Sequence, residues 1–291
     1  MILEEVNSCP ICQGKQFTTL HTCKDYTSSG ETFQVLQCKS CSFALTSPRP
    51  IESESGKYYQ SRQYISHQTT ATSAFDRIYL AARSFTLNWK YNLIRPYTRG
   101  SLLDVGCGTG AFLHYCQKKG IHVTGVEPSD ARLSISGITT YKTLKEVPAQ
   151  PFTVITLWHV LEHIYPLHET IHHLTRHLAE NGTIFIAVPN RLSLDAKTYA
   201  NTWAAWDVPR HIWHFSEENM KDLIHRCGLQ VKEIIPMKLD ALYVSLLSER
   251  YLGRSKTPAF RAIRGMYQGL RSNLSARKNG QYSSLIYRIT R

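Results

Sequence analysis

A glycine-rich segment followed by a lone carboxylate is the clearest chemical signal in this sequence of 291 residues. Three glycines alternate with other residues directly after an apolar run: Gly106, Gly108 and Gly110, with Cys107 between the first two. Glycines at a strand-to-helix turn let the backbone approach a ligand closely, and the next helix offers unpaired N–H groups. Glu127 follows Gly110 by 17 residues, where a carboxylate can accept both hydroxyls of a ribose. The pattern predicts a cofactor that contains a nucleoside.

The glycines alone admit two classes of cofactor. The spacing from Gly106 through Gly108 to Ala111 also satisfies the dinucleotide fingerprint. Asp104 distinguishes the two, because it stands two residues before the first glycine, where it can meet the ammonium of an amino-acid cofactor. A carboxylate beside a pyrophosphate would be repelled. We therefore expect S-adenosylmethionine rather than a dinucleotide.

Three histidines follow later strands of the same predicted unit. His163 comes after an apolar strand, and His211 and His214 precede a helix that begins at Ser216. Ligands of parallel α/β sheets bind at the carboxyl ends of the strands, and the near-neutral pKa of histidine suits removal of a proton from a hydroxyl or a carbon acid. His163, His211 and His214 are therefore the candidate catalytic residues. The alternative is that they only hydrogen-bond and pack within a tryptophan-rich loop.

Four of the eight cysteines form two Cys-x-x-Cys pairs, Cys9 with Cys12 and Cys38 with Cys41, separated by 25 residues. Two such turns that face each other make a tetrahedral sulfur site for zinc. A redox pair or an incidental match is the alternative, and the presence of two copies favours zinc. Four protein ligands leave no open position, so the metal should be structural.

These residues require elements that position them. Strand–helix alternation begins at Ser101 and predicts an α/β domain with an open parallel sheet covered by helices on both faces. Strands are predicted over 102–105, 122–126, 152–160, 183–188 and 229–235, and helices over 111–119, 167–179 and 216–228. The expected domains are a β-like cysteine module over 1–50, a helical linker or lid over 51–98, and the α/β domain over 99–291.

Positive charge is concentrated near the end of the chain. The formal net charge is +12, and the stretch from Arg254 to Arg291 contains nine Arg or Lys and no Asp or Glu. A solvated surface would explain it, as would contact with an anionic substrate, nucleic acid or membrane headgroups. Apolar runs long enough to span a membrane and a signal peptide with a basic flank are both missing, so we expect a cytoplasmic protein.

Residues 102–110, 127–129 and 157–163 resemble the class I S-adenosylmethionine-dependent methyltransferases. Within them the chain resembles bacterial methyltransferase-domain proteins that carry an N-terminal zinc ribbon, and more distantly it is similar to sugar C-methyltransferases and quinone-pathway O-methyltransferases. The resemblance implies a Rossmann-like seven-stranded sheet whose last strand is antiparallel, plus the small zinc-ribbon module. It also implies that Pro128, Trp158 and His159 line the cofactor. The acidic adenine contact usual after the third strand is missing, so that contact is unassigned.

The expected reaction is methyl transfer from S-adenosylmethionine to the oxygen or carbon of a small-molecule, glycan- or lipid-type acceptor. The alternative is methylation of nucleic acid or protein, in which the zinc ribbon and the basic C-terminal region would bind the macromolecular substrate. An aromatic RNA-binding signature and an Asn-Pro-Pro-Tyr-type motif are both missing, which favours the first. A third possibility is a cofactor-binding module without chemistry, against which Asp104, Glu127 and the histidines count.

Overall fold

The computed structural model describes residues 2–59, 86–253 and 257–291. Most of the linker or lid expected over 51–98 therefore lies outside the described residues. Its beginning contains a short helix, α1 (Glu52–Ser55), and residues 86–94 near its end form a second helix, α2.

The N-terminal part of the chain is built from short antiparallel strands. They are β1 (Leu3–Glu4), β2 (Phe17–Lys24), β3 (Thr32–Cys38), β4 (Ala44–Thr46) and β5 (Arg49–Pro50). β2, β3 and β4 pair in sequence, and β1 pairs with β5.

A seven-stranded sheet forms the centre of the molecule. Its strands are β6 (Ser101–Val105), β7 (His122–Val126), β8 (Thr139–Tyr141), β9 (Phe152–Trp158), β10 (Leu178–Pro189), β12 (Gln230–Pro236) and β13 (Ser284–Thr290). The order is β12-β13-β10-β9-β6-β7-β8, and β13 is antiparallel to both of its neighbours. The central strands are apolar on both faces because helices cover both faces, and residues 184–188 are all buried. The Rossmann-like sheet with an antiparallel last strand is confirmed.

Six further helices connect or flank these strands: α3 (Ala111–Gln117), α4 (Leu167–His177), α5 (Leu194–Tyr199), α6 (Glu217–Arg226), α7 (Lys238–Leu252) and α8 (Pro258–Asn279). α6 begins where predicted, since the Ser216 side chain accepts the Asn219 N–H. α4 ends at His177 and not at the predicted residue 179, because β10 begins at Leu178. Asn181 and Gly182 lie within β10, where the pairing with β9 is irregular between Leu178 and Thr183. The α7–α8 hairpin was not predicted as helical. In the part of the chain that is described, none of the helices is long and apolar enough to cross a membrane.

The cysteine module is not confined to residues 1–50. A two-residue strand from the α/β domain, β11 (Trp213–His214), pairs with β4 and completes a four-stranded sheet of order β11-β4-β3-β2. Phe43 packs against Trp213 and Phe215, with ring centroids 6.0 and 5.5 Å away. Module and domain therefore share a sheet and a core.

A buried arginine ties the module to the domain. The Arg210 Nη2 atom lies 2.9 Å from Asp25 Oδ1 and 2.6 Å from Asp207 Oδ1, and Nη1 donates to the Tyr58 carbonyl at 3.1 Å. Asp25 also accepts the N–H groups of the turn over residues 27–29. Burial alone would raise the pKa of Asp25, but the Arg210 hydrogen bond and the turn N–H groups hold it below its ordinary value.

We expect Arg210→Ala to lower the free energy of unfolding by about 3–5 kcal/mol, because it leaves two carboxylates without their buried partner. The matched control is Arg226→Ala, which removes the exposed i,i+4 pair with Asp222 and should cost less than about 1 kcal/mol. Urea unfolding followed by circular dichroism measures both. Equal losses in the two variants would contradict the role given to Arg210.

Candidate active site

The glycine loop leaves β6 in a conformation that side chains rarely adopt. Gly106, Gly108 and Gly110 have φ values of 72°, 53° and 72°. The Gly106 N–H donates to the Val126 carbonyl at 2.7 Å, which holds the loop against the end of β7. A Cβ atom at Gly106 would stand 2.4 Å from Val160 Cγ2. Both backbone conformation and space therefore require glycine here.

Glu127 is fixed against this loop by backbone N–H groups. Its Oε2 accepts the Gly108 N–H at 2.8 Å, and its Oε1 accepts the Ser129 N–H at 2.9 Å. Pro128, between them, is exposed at the rim, and Cys107 is buried beneath the loop. Each carboxylate oxygen keeps a second lone pair for a ligand hydroxyl.

Asp104 lies inside β6, one strand away from Glu127. Its Oδ1 accepts the Thr156 hydroxyl of neighbouring β9 at 2.6 Å. Burial raises the pKa of Asp104 to about 7, even though the Thr156 hydrogen bond and the charge of Lys90 favour the ionised form. The carboxyl group therefore changes charge near neutral pH.

Trp158 ends β9 and forms a wall beside these carboxylates. Phe112 meets its ring edge-on, with centroids 5.7 Å apart, and Lys90 of α2 places Nζ 4.6 Å from the ring centroid. The Trp158 Nε1 atom is buried and has no hydrogen-bond partner among the described residues. Burial lowers the pKa of Lys90, while Asp104 and Asp240 act in the opposite direction. Sequence reasoning had not identified Lys90.

His159 joins the end of β9 to the first turn of α7. Its backbone has a φ of 57°, its Nε2 lies 2.9 Å from Asp240 Oδ2, and its Nδ1 lies 3.4 Å from Glu162 Oε1. Burial alone would lower its pKa, but Asp240 and Glu162 raise it to about 10. His159 is therefore an imidazolium held between two carboxylates. Asp240 was missed because α7 itself was not predicted.

Glu162 is fully buried beside the predicted catalytic histidines. Among the described residues, neither of its carboxylate oxygens has a hydrogen-bond partner. Burial favours the neutral form, yet the contact with His159 and the nearby His211 and His163 lower the pKa of Glu162 below its ordinary value. A buried, ionised carboxylate that has an ion pair with His159 but accepts no hydrogen bond is costly unless it serves a ligand or a proton.

His211 faces this carboxylate through one ring nitrogen. Its Nδ1 lies 2.9 Å from the Ala205 carbonyl oxygen, and a carbonyl can only accept, so Nδ1 carries the proton. In the neutral form of the ring, Nε2 is therefore the acceptor; it lies 4.0 Å from Glu162 Oε1 and 3.9 Å from Asp207 Oδ2.

His163 packs edge-on against His211, with ring centroids 4.6 Å apart. Its Nδ1 lies 3.0 Å from the Arg210 carbonyl oxygen and 2.9 Å from the Tyr59 hydroxyl. By the same reasoning Nδ1 carries the proton. Burial lowers the pKa of His163 to about 4, so the ring is neutral at physiological pH.

Glu162, His163 and His211 thus form one cluster, with ligand atoms all within 4.8 Å of one another. A carboxylate and two imidazoles can accept a proton from a substrate, and the same three side chains can be ligands of a divalent cation.

His214 occupies a different environment from the other two histidines. Its Nε2 lies 2.9 Å from Thr46 Oγ1, and the Thr46 hydroxyl donates to the His211 carbonyl at 2.8 Å. Trp206 meets its ring at 4.9 Å, and burial lowers its pKa well below the ordinary value. His214 therefore lies in the seam between β4 and β11, with one ring nitrogen already committed.

The four predicted zinc ligands converge, with all Sγ atoms within 4.8 Å of one another. Cys9 and Cys41 place their Sγ atoms 3.5 Å apart, as do Cys12 and Cys38. The two turns have the same geometry. The residue after each Cys-x-x-Cys pair, Gln13 or Ser42, has a positive φ, and its N–H donates at 2.9 Å to the carbonyl oxygen of the first cysteine of that pair, Cys9 or Cys38. A tetrahedral metal fits this arrangement.

The cysteine cluster is also docked onto the α/β domain. His168 of α4 contacts the Pro10 carbonyl at 2.5 Å, and the Asn219 side chain of α6 donates to the Cys41 carbonyl at 2.9 Å. The Arg191 guanidinium donates to the Ser42 carbonyl. Polar groups of the domain thus reach both turns of the cluster.

Comparison with known proteins places the site in a family context. The family model described as a methyltransferase domain matches residues 75–234, which is more than half of the chain. A ubiquinone biosynthesis O-methyltransferase of Pseudomonas aeruginosa is 30% identical over 162 residues, covering 48% of this chain and 69% of that protein. One from Hahella chejuensis is 31% identical over 103 residues, covering 31% of this chain and 43% of that protein. The chain thus spans between about two fifths and two thirds of these relatives' own lengths.

Among solved structures, a SAM-dependent methyltransferase from Archaeoglobus fulgidus aligns with a TM-score of 0.49 and 19% identity, covering 72% of this chain and 94% of that one. The family assignment comes from the sequence comparisons, and the matched residues contain the glycine loop, Glu127 and the histidine cluster. The chain belongs to the methyltransferase-domain family.

Proposed function

We propose that this protein transfers a methyl group from S-adenosylmethionine to a small-molecule acceptor, including a glycan- or lipid-type intermediate. The observation that carries the proposal is the acidic excess around the glycine loop. Among the residues that the structure describes, four carboxylates stand against two cationic groups: Asp104, Glu127, Glu162 and Asp240 against Lys90 and His159. Such a crevice suits the sulfonium and ammonium of this donor and opposes the pyrophosphate of a dinucleotide.

The binding roles follow from position. Asp104 would meet the ammonium, and Glu127 would accept the ribose hydroxyls. The backbone of Gly106, Cys107, Gly108 and Gly110 would allow close approach, while Pro128, Trp158 and His159 would form the walls. The bound donor supplies an electrophilic methyl group for in-line displacement. The tautomer of His211 supports its use as a base, because Nε2 is free to accept a proton while Glu162 stabilises the imidazolium that forms.

The names of the relatives support an oxygen acceptor on a small molecule, since several are ubiquinone biosynthesis O-methyltransferases. Carbon acceptors need the same proton removal, so the base alone does not separate the two. His163 is the second candidate base and His214 the third, although the contact between His214 and Thr46 favours a structural role.

We also propose that Cys9, Cys12, Cys38 and Cys41 bind a structural Zn²⁺. The equal spacing of the thiol pairs and the repeated turns support four-sulfur coordination without an open position. None of the eight cysteines, all of which lie in the described residues, is in a disulfide, which agrees with a reducing compartment such as the cytoplasm.

Affinity for S-adenosylmethionine should weaken as the pH falls through about 7, because Asp104 must be ionised to accept the ammonium. Below that pH we expect about a tenfold rise in Kd per unit. Isothermal titration calorimetry between pH 5.5 and 8.5 measures it. Asp104→Asn should raise Kd at pH 8 by roughly 10–100-fold and flatten the profile, since it keeps only the pH dependence of the ligand. If Kd depended on pH in Asp104→Asn as it does in the unchanged chain, the assignment of Asp104 to the ammonium would be contradicted.

Turnover should fall by about 10²–10⁴-fold in His211→Ala and in His163→Ala, with little change in Kd for S-adenosylmethionine. The assay follows tritiated methyl incorporation at saturating donor into polar-metabolite, lipid, glycan and RNA fractions of a cell extract. His225→Ala, an exposed histidine on α6, is the matched control. Unchanged turnover in both site variants would contradict a catalytic role for His211 and His163. Labelling of the RNA fraction alone would favour the alternative of nucleic-acid methylation.

The purified protein should contain about one zinc per chain by elemental analysis, as four thiolates bind one ion. Cys12→Ser should lose the metal and lower the thermal midpoint, because metal binding is coupled to folding of the module. Cys227→Ser, at a cysteine outside the cluster, is the control and should keep the zinc. Metal-free protein that melts at the same temperature as the purified protein would contradict the proposal.

A further inference from the structure

Helix α8 buries its small residues and exposes its large ones. Its buried positions are Gly265, Gly269, Ser272 and Ala276, which lie on one face. A Cβ atom at Gly265 would stand 2.8 Å from the Cα of Leu246, and one at Gly269 would stand 2.7 Å from the Cα of Leu242. The backbone of α8 therefore lies directly on α7, which leaves no room for larger side chains between them.

The opposite face carries an apolar stripe. Its exposed fractions run from 41% to 67%: Phe260 50%, Ile263 67%, Met266 41%, Tyr267 62%, Leu270 52% and Leu274 57%. Spacings of three and four residues place all six on one side of the helix. Single exposed apolar side chains are ordinary, whereas a continuous stripe on one helix marks a surface that another apolar phase covers.

A basic row runs along one edge of this stripe. Arg264, Arg271 and Lys278 recur at intervals of seven residues, which keeps them on one side of the helix. Arg261 and Arg277 add two further positive charges, and α8 contains no Asp or Glu. Arg264 has a partner on α7, since its Nε lies 3.5 Å from Glu249 Oε2. Arg271, Arg277 and Lys278 are exposed.

We propose that α8 binds the surface of an anionic lipid bilayer, lying parallel to it with the apolar stripe among the acyl chains. A helix with a bulky apolar face and a basic edge inserts about 5–10 Å into the headgroup and acyl boundary. The basic row then meets anionic headgroups, each residue adding attraction at the surface. The inference does not depend on the methyl acceptor, because it concerns a surface and not the crevice.

Charge selects the bilayer over two other occupants. A second copy would bring an identical basic row and the same net charge of +12 to the contact, so like charges would oppose association. Nucleic acid would pair with the basic row but would leave the apolar stripe in water, since its recognition depends on phosphate contacts. Only an anionic bilayer offers negative charge and an apolar phase together.

The experiment is co-sedimentation of the full chain with vesicles of phosphatidylcholine, alone or containing 30% phosphatidylglycerol. We expect binding to the mixed vesicles that weakens as salt is added, and little binding to phosphatidylcholine alone. Arg271→Gln, Arg277→Gln and Lys278→Gln combined should lower the partition coefficient by about a hundredfold. Ile263→Gln, Leu270→Gln and Leu274→Gln combined should also abolish binding, because the stripe supplies the apolar contact.

The control combines Lys15→Gln, Lys118→Gln and Lys232→Gln, three exposed lysines elsewhere, and removes the same charge. It should bind mixed vesicles like the unchanged chain, and circular dichroism should report equal folding in all variants. Equal loss of binding in the control would overturn the proposal by showing a general charge effect. Absence of vesicle binding by the unchanged chain would also overturn the proposal. In that case, a dimer seen by light scattering and lost in the combined Ile263, Leu270 and Leu274 variant would identify a second copy as the occupant. A gel shift with RNA would instead identify nucleic acid.

Discussion

The contact on which the rest of the arrangement depends is the buried ion pair of Arg210 with Asp25 and Asp207. Asp25 belongs to the cysteine module, whereas the other two residues belong to the loop that carries His211. The Arg210 carbonyl also accepts a hydrogen bond from His163 Nδ1, and Arg210 directly precedes His211, so this one residue bears on two of the three candidate bases. A charged contact in a dry environment tolerates little displacement, because its strength depends on complete pairing. The module therefore acts as a positioning element for the site.

A second polar connection runs from the crevice to the surface. His159 is paired with Asp240, and Asp240 lies in the first turn of α7, the helix that supports α8. The wall of the candidate cofactor site and the exposed hairpin are thus joined by one partly buried ion pair. A change in the position of α7 would alter the partners of His159, and through it the environment of Glu162.

The parts of the molecule that follow from local pattern were predictable. The central strands β9 and β10 contain long buried, mainly apolar runs. The glycine loop and the Ser216 cap are local features whose conformation depends on adjacent residues. The fold class, including the antiparallel last strand that the family resemblance implied, is confirmed. Long-range partners were not predictable: Lys90, Asp240 and the pairing of β11 with β4 depend on contacts between segments far apart in the chain.

The missed hairpin has a specific cause. Helix prediction looks for large apolar residues on a buried face and polar residues outside, and α8 reverses this order. The nine basic residues of the C-terminal stretch were visible, but the small residues that bury its helix carry no hydrophobic signal. The catalytic roles of the histidines stay predictions, and the geometry brings His163 and His211 together with Glu162.

The pairing of β11 with β4 also bears on how the chain is made. Trp213 lies 172 residues after Cys41, so the ribosome releases the cysteines long before the strand that completes their sheet. Throughout that interval β4 has an unpaired edge and the thiols lack the contacts from Arg191 and Asn219. The four-stranded sheet of the module can therefore be completed only after residues 213–214 have been synthesised.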